Sequence, residues 1–460
     1  GGGEAKRNRW AGRPEYDSVC PMRAHPLLGK TFSCECGKTH RVPVRHVIYE
    51  RGAAERLPAL LETEFPHGAV AIIADRRTWT AAGQAVQHAL EKGGRRVAAV
   101  TILPDPAGGE PFCDDRTKAW LETQVPVLAD ILLAVGSGVV NDLTKWLATD
   151  RRRPWLVCAT AASMNGYTSA TIAPAIGGIK RVVDGQAPFA VVADPAVLAA
   201  APWRLTAAGL GDVLAKPVSM TDWRLNHLLF GDYYCPLCAR LITDIEPTYR
   251  DHPEDLARRD PAAIEGLFQA LLYSGLSMTL AGTSFPASGG EHMVSHVLDM
   301  KAMADGRPHD YHGRQVGLGT ILAAALYERL LAFEQPRWAI REDATDAAYW
   351  GPLTGVVKVE HAAKRRRAAE AVERLRTPGV WDSIRLLIAE AGLSAASIKD
   401  CLRRAQAAHR LSDIGCSRED FVAALRHSHQ IRARYTVLDL ARAAGLWPDL
   451  AEELTDEWLS

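Results

Sequence analysis

The 460-residue chain has no surplus of either charge, with 54 Lys plus Arg against 54 Asp plus Glu. Lacking a global positive field, it has nothing to gather polyanions, which argues against nucleic acid or an acidic membrane surface as its main partner. Long apolar runs are also missing. The longest, residues 127–135, is broken by Asp130 and falls short of the ~20 residues of a membrane span, so no membrane partner is expected. Residues 1–9 are polar with no apolar stretch behind them, and they do not read as a secretory signal. There is no internal repeat and no low-complexity linker. Cysteine is scarce and scattered: nine residues, at positions 20, 34, 36, 113, 158, 235, 238, 401 and 416, an odd number unsuited to a disulfide framework. They are read as reduced, and the expected compartment is cytoplasmic. Apolar side chains are plentiful at 47%, which excludes disorder as the main state and suffices for one or two cores. A small-molecule enzyme is the class these exclusions favour.

The texture changes near residue 200. Before it, short apolar runs at 69–74, 96–103, 130–135, 155–160 and 189–193 read as buried strands, with helical stretches at 78–91 and 139–149 among them. That rhythm predicts a parallel α/β sheet. After it, Ala- and Leu-rich runs at 267–280, 317–333, 383–391 and 421–444 carry a helical period. The expected organisation is an appendage with a small hairpin over 1–60, an α/β dinucleotide-binding domain over 61–200, and an all-α metal-binding and substrate domain over 201–460. A cleft between the two larger parts is the default site. The basic run at 364–367 is expected to be a solvated helix face rather than a nucleic-acid patch.

Strand 131–135 ends in Gly136-Ser137-Gly138-Val139-Val140-Asn141-Asp142 and runs into a helix. Two residues without side chains in front of a helix N-terminus let a pyrophosphate approach backbone N–H groups, although a tight strand-to-helix turn would use the same residues. Asp75, after the strand at 69–74, stands where ribose hydroxyls would be accepted, or where a helix is N-capped. The strand at 155–160 leads into a rim of small polar residues that includes Thr160, Ser163, Asn165 and Ser169. Farther on, Gly209-Leu210-Gly211-Asp212 places a carboxylate after what reads as a flexible turn. His292 and His296, four apart, share a helix face, and His312 opens another helix. One Asp and two His with an open position suit a Lewis-acid metal, while histidines that merely cap or fill are the plain alternative. Two cysteine groupings stand out. Cys34-Glu35-Cys36-Gly37-Lys38-Thr39-His40 offers three zinc-ligand types, but with no second pair beside it a Gly-turned hairpin is favoured. Cys235-Pro236-Leu237-Cys238 has redox spacing without the strand that redox folds place before it.

At these residues the chain resembles the sn-glycerol-1-phosphate dehydrogenase family, within the wider iron-containing alcohol dehydrogenase and glycerol dehydrogenase fold. The resemblance spans roughly residues 30–330 and returns near 432–440. Ala207-Ala208-Gly209-Leu210-Gly211-Asp212, Gly231-Asp232-Tyr233-Tyr234-Cys235-Pro236 and Pro286-Ala287-Ser288-Gly289-Gly290-Glu291-His292 with Ser295-His296 carry it most strongly. The 34–40 hairpin is similar to the family's bacterial branch and implies a structural role there. The resemblance implies NAD- or NADP-dependent reduction of dihydroxyacetone phosphate to sn-glycerol 1-phosphate with one divalent metal, zinc first and nickel or iron as alternatives. It implies Gly138 to Asp142 as the dinucleotide loop, Thr160, Ser163 and Ser169 as further cofactor contacts, Asp212, His292 and His312 as metal ligands, and His296 as a substrate contact. The family's usual Asp stands as Asn165 here, beside the expected substrate hydroxyls. Lys180, Arg181 and Lys216 are candidates for the phosphate anchor, and residues around 335–376 exceed the family's usual length.

The expected reaction is metal-assisted hydride transfer to a ketone on a small phosphorylated substrate, in a homo-oligomer. The same machinery acting on another polyol, sugar phosphate or phosphonate is the first alternative. A sugar-phosphate cyclase stands behind it, since that branch generally has Glu where this chain has Asp212. A catalytically silent metal-binding homologue is the alternative from another class. Asp75 disfavours the 2′-phosphate of NADP, while Arg76 and Arg77 are placed to accept it.

Overall fold

The structure, a computed structural model, describes residues 21–106 and 109–460. Cys20 and the polar start of the chain lie outside them. Strands β1 (Thr31–Ser33) and β2 (Thr39–Arg41) form the expected hairpin, closed by Gly37 at a left-handed φ of 84°. The main sheet holds β3 (His46–Tyr49), β4 (Val70–Ala74), β5 (Val97–Ile102), β6 (Ile131–Gly136) and β7 (Trp155–Ala159). Two small antiparallel ribbons follow: β8 (Thr171–Ile172) with β11 (Val183–Asp184), and β9 (Ala175–Ile176) with β10 (Ile179–Lys180). The last strand, β12 (Ala190–Ala193), returns to the main sheet.

The six main strands run in the order β3-β12-β7-β6-β4-β5, every pair parallel. Strands β4, β6 and β7 are buried throughout, as a sheet covered on both faces requires. One set of alternating residues, among them Ile72, Leu133, Val135 and Leu156, packs on Leu57, Leu61, Val86 and Leu90. The other set, Ala71, Ile73, Leu132, Ala134 and Val157, joins the core that continues into the helical half. The edge strand β3 comes from within the segment expected to be an appendage. Its register against β12, His46 with Ala190 through Tyr49 with Ala193, makes that segment part of the sheet.

After residue 200 the described chain is helical. The helices that matter to the site are Trp203–Leu214, Lys216–Phe230, Pro261–Ala281, Gly290–Ala304, His312–Leu331 and Thr354–Leu375. Among the described residues no helix is long and apolar enough to cross a membrane.

Two expectations change here. Gly209 and Gly211 are not a flexible turn; they lie inside helix Trp203–Leu214. A Cβ on Gly209 would stand 2.0 Å from the Ala162 carbonyl oxygen, and one on Gly211 would stand 2.0 Å from that of Gly313. In return, a Cβ on Gly313 would come 1.9 Å from the Ala208 oxygen. The glycines are there because backbones touch, and the contact brings the Asp212 helix against both the 160–169 loop and the start of the His312 helix. Nor is the stretch 421–444 one helix. Helix Arg418–His427 and helix Val437–Ala443 are separated by an irregular segment that carries Arg432 and Arg434.

Gly211→Ala is therefore expected to lower stability by roughly 1–3 kcal/mol, the usual penalty for overpacking. Gly355→Ala, in helix Thr354–Leu375 with nothing within 4 Å of its Cβ position, should shift it by no more than about 1 kcal/mol, toward a gain. Denaturant midpoints of the two variants check the contrast.

Candidate active site

Asp212 is 2% exposed in the last turn of helix Trp203–Leu214. One carboxylate oxygen accepts from Lys216 Nζ at 2.7 Å and lies 3.6 Å from His292 Nε2. The other accepts from the Asn165 backbone N–H at 3.2 Å. Burial pushes this carboxyl upward, but the Lys216 ammonium, with His292 and then His312 beside it, outweighs burial and holds the group well below the usual carboxylate range. Lys216, a turn farther along, also donates to the Ala287 carbonyl at 3.1 Å. This overturns its candidacy as a phosphate anchor: it is sealed behind Asp212 as the carboxylate's counter-ion.

Helix Gly290–Ala304 does present His292 and His296 on one face, and His312 does begin the next helix. The rings gather closely, with centroids 5.1 Å apart for His292 and His312 and 5.4 Å for His296 and His312. The outer nitrogen of each ligand candidate is already engaged. His292 Nδ1 lies 2.7 Å from Glu291 Oε1, and His312 Nδ1 lies 2.9 Å from Ser295 Oγ. Such partners fix ring and tautomer and leave Nε2 as the free donor atom, which is how metal-ligating imidazoles are held. Burial, with His292 nearby, pushes His312 down to about 3, so its ring is neutral and able to ligate. Two imidazoles and an ionised carboxylate, all buried, fit a divalent ion chemically. Their donor atoms are set more widely than a fully closed shell, since they do not all fall within 4.8 Å of one another. Glu291 and Ser295 stand in the motifs that carry the resemblance, but the sequence gives neither of them this role.

The glycine loop stands at the carboxyl end of β6. Ser137 precedes helix Gly138–Arg151 without capping it, so its side chain does not take up the first-turn N–H groups. A Cβ on Gly136 would meet Val140 at 2.6 Å, so this glycine serves the tight turn itself. At Gly138 a Cβ would meet only Met164, at 3.8 Å, leaving open space before the helix N-terminus. Asp142 faces inward, accepting from Asn141 Nδ2 at 3.0 Å and from the Ala173 N–H at 3.2 Å. Asp75 caps the next helix, its Oδ1 accepting from the Thr78 N–H at 2.8 Å. Arg76 and Arg77 lie 3.7 and 3.8 Å from Asp105.

The loop after β7 buries Thr160, Ser163 and Ser169 along the same edge. It is fastened by two groups that sequence reading passed over. Lys145, fully buried, donates to the carbonyls of Gly166 and Thr171 at 2.9 and 2.8 Å. Thr168 donates to the Leu272 carbonyl at 2.6 Å, tying the loop to helix Pro261–Ala281. Asn165 donates through Nδ2 to Ser274 Oγ at 3.1 Å.

Beside the histidines opens a cavity of about 580 Å³, lined by His296, Lys180, Arg181, Glu360, Arg432 and Arg434 among others. Arg434 stacks on Phe285 at 4.0 Å and donates to Ser284 Oγ and the Ser288 carbonyl. Arg432 has no hydrogen bond or ion pair among the described residues. His296 Nδ1 is likewise buried without a partner, and burial, then the Arg432 charge, keeps this imidazole neutral. The basic run on helix Thr354–Leu375 is only half solvated, contrary to expectation. Lys364 is buried against Asp439 at 2.6 Å, and Arg367 stacks on Phe230 at 3.6 Å while pairing with Asp232. With Glu360, this helix forms a wall of the cavity.

With that geometry in place, comparison with known proteins is specific. The iron-containing alcohol dehydrogenase profile matches residues 48–202. A glycerol-1-phosphate dehydrogenase [NAD(P)+] of Geobacillus stearothermophilus is 31% identical over 407 residues, covering 88% of this chain and 94% of the relative. Its counterpart in Bacillus licheniformis is 30% identical over 420 residues, covering 91% and 94%. In fold, the crystal structure of a probable glycerol dehydrogenase from Sinorhizobium meliloti superposes with a TM-score of 0.58 at 17% identity, covering 89% of this chain and 97% of that one. Relatives at 30–31% identity, matched over nearly their whole length, show the family, and the chain belongs to the glycerol-1-phosphate dehydrogenase family.

Proposed function

We propose that this protein interconverts dihydroxyacetone phosphate and sn-glycerol 1-phosphate with NAD or NADP as hydride carrier, at a site where Asp212, His292 and His312 hold one divalent metal. The observation that carries the reading is the adjacency of two chemistries: an Asp-His-His donor set, and through His296 a cationic cavity with an unpaired arginine. An ion held there, zinc first and nickel or iron as alternatives, would supply Lewis acidity to the reacting oxygen. Asp212 and the two imidazoles leave it under-neutralised, because Lys216 already balances the carboxylate. The space before Gly138 and the first-turn N–H groups of its helix suit the pyrophosphate of the nicotinamide cofactor. Thr160, Ser163 and Ser169 border the cofactor, and Asp75 stands at the ribose end of the same edge.

Arg432, with Lys180 and Arg181, binds the substrate phosphate, since a guanidinium with no internal partner is fit for a phosphate oxygen. His296, kept neutral, accepts the substrate hydroxyl's hydrogen bond and in the oxidative direction takes its proton at a ring nitrogen. Asn165 contributes its amide carbonyl to the substrate hydroxyls, its NH₂ being turned to Ser274. Eight described cysteines are free thiols, which supports a reducing compartment, and we place the enzyme in the cytoplasm as a homo-oligomer.

The test is a panel of polyol phosphates, sugar phosphates and phosphonates, with NAD and NADP in both directions, followed by nicotinamide absorbance. Dihydroxyacetone phosphate is expected to give the highest kcat/KM, and a non-phosphorylated polyol outperforming it would replace this reading. Arg432→Ala should raise KM for dihydroxyacetone phosphate about 10–100-fold, because hydrogen bonds to charged groups contribute about 1.5–3 kcal/mol. Cofactor affinity, titrated by fluorescence, should not move; equal loss of both would place Arg432 in the scaffold instead. Asn165→Asp should leave activity on dihydroxyacetone phosphate equal or higher. Activity that is negligible in the wild type and appears only in Asn165→Asp would show that the true substrate differs.

A further inference from the structure

The hairpin and the Cys235 helix are remote in sequence and meet in space. Cys34 Sγ lies 3.8 Å from Cys235 Sγ across a separation of 201 residues. Cys235 Sγ lies 3.6 Å from His40 Nε2, and that nitrogen is 3.3 Å from Cys36 Sγ. The four donor atoms of Cys34, Cys36, His40 and Cys235 all fall within 4.8 Å of one another. A tetrahedral zinc ion has Zn–S of about 2.3 Å and Zn–N of about 2.0–2.1 Å, which sets ligand edges of about 3.8 Å for S···S and about 3.5 Å for S···N. The three short contacts, 3.8, 3.6 and 3.3 Å, lie close to those edges. At 3.8 Å the two sulfurs are far from the ~2.05 Å of a disulfide.

We propose that Cys34, Cys36, His40 and Cys235 form a second metal site, a closed structural zinc centre independent of the Asp212 site. The fourth ligand missing from the hairpin's own sequence is the first cysteine of the Cys-x-x-Cys that has no redox setting. Three thiols give up protons to solvent on binding and His40 stays neutral, so ion and ligands together carry one negative charge. The surroundings suit that charge. The Tyr233 hydroxyl lies 3.3 Å from Cys36 Sγ as an outer hydrogen-bond partner, and Lys38 places its ammonium 3.4 Å from the centroid of the Tyr233 ring. Cys34 and Cys36 are partly exposed while His40 and Cys235 are buried, so an ion can enter from solvent and be closed over from the helical side. Arg240 and Glu35, 2.8 Å apart, tie the same two elements next to it. The consequence reaches the substrate cavity, because Asp232, which pairs with Arg367 on the cavity wall, is three residues from Cys235. The other described His/Asp cluster, Asp343 with His361 and His429, already holds the Arg442 guanidinium at 3.0 Å and has no such vacancy of charge.

The test is cobalt(II) titration of the reduced, metal-stripped full-length protein. Sulfur-to-cobalt charge-transfer absorption in the near ultraviolet, with the intense visible bands of tetrahedral cobalt, is expected, and zinc should bleach both. An Asp-His-His site has no sulfur, so the band must persist in Asp212→Asn and vanish in Cys36→Ala, whose side chain sits on the exposed rim of the hairpin. Absence of the band in the wild type would overturn the proposal without reference to any variant. So would its survival in Cys36→Ala, or a Cys34–Cys235 disulfide mapped in protein isolated without oxygen.

Discussion

A single buried carboxylate organises the candidate active site. Placing the Asp212 charge in the interior is affordable only because each of its oxygens has a donor and because the Lys216 ammonium lies one helical turn away. That pairing leaves the carboxylate ionised, and an ionised carboxylate beside two imidazoles is the donor set proposed to hold the metal. It also fixes Asn165 through its backbone N–H, so the loop after β7 is positioned by the same group.

The rest of the architecture serves to bring that helix close enough. Gly209 and Gly211 let backbone approach backbone at two places where any side chain would collide, and Gly313 reciprocates from the His312 helix. The parallel sheet then delivers its carboxyl edge to the same region: the glycine loop after β6, the polar loop after β7 and Asp75 after β4. Lys145 and Thr168 fasten the polar loop to the sheet side and the helical side in turn, so the edge proposed for the cofactor and the donor set share one seam. A Lys145 ammonium buried under carbonyl oxygens is a costly choice unless the loop it holds has to stay in place.

What could be read from the sequence follows physical range. Strands buried on both faces announce themselves as short apolar runs, and β4, β6 and β7 lie where those runs predict. Histidines four apart have to share a helix face, and His292 and His296 do. Long-range partnership has no such local signature. Glycines at 209 and 211 look like a turn until the carbonyls of Ala162 and Gly313 are seen pressing on them. Lys216 looks like a free cation until Asp212 is found beneath it. Arg432 hides in a stretch whose composition is helical, although the chain there leaves the helix and lines the cavity. Cys34, Cys36 and His40 look one ligand short because the fourth, Cys235, comes from a different part of the fold. Strand β3 was passed over because four residues after a proline carry too little periodicity to register.

Asp212 is proposed as a metal ligand for hydride transfer rather than only a structural anion. Asp212→Asn keeps the shape and an oxygen acceptor for the Asn165 N–H while removing the charge. Metal content by elemental analysis and kcat/KM on dihydroxyacetone phosphate, measured together on this variant, decide the matter. The expected result is one equivalent of metal per chain fewer than wild type and a fall in kcat/KM of more than about a hundredfold, about 2.7 kcal/mol of transition-state stabilisation at 1.36 kcal/mol per tenfold. A folded variant with wild-type metal and wild-type turnover would show Asp212 to be only a structural anion.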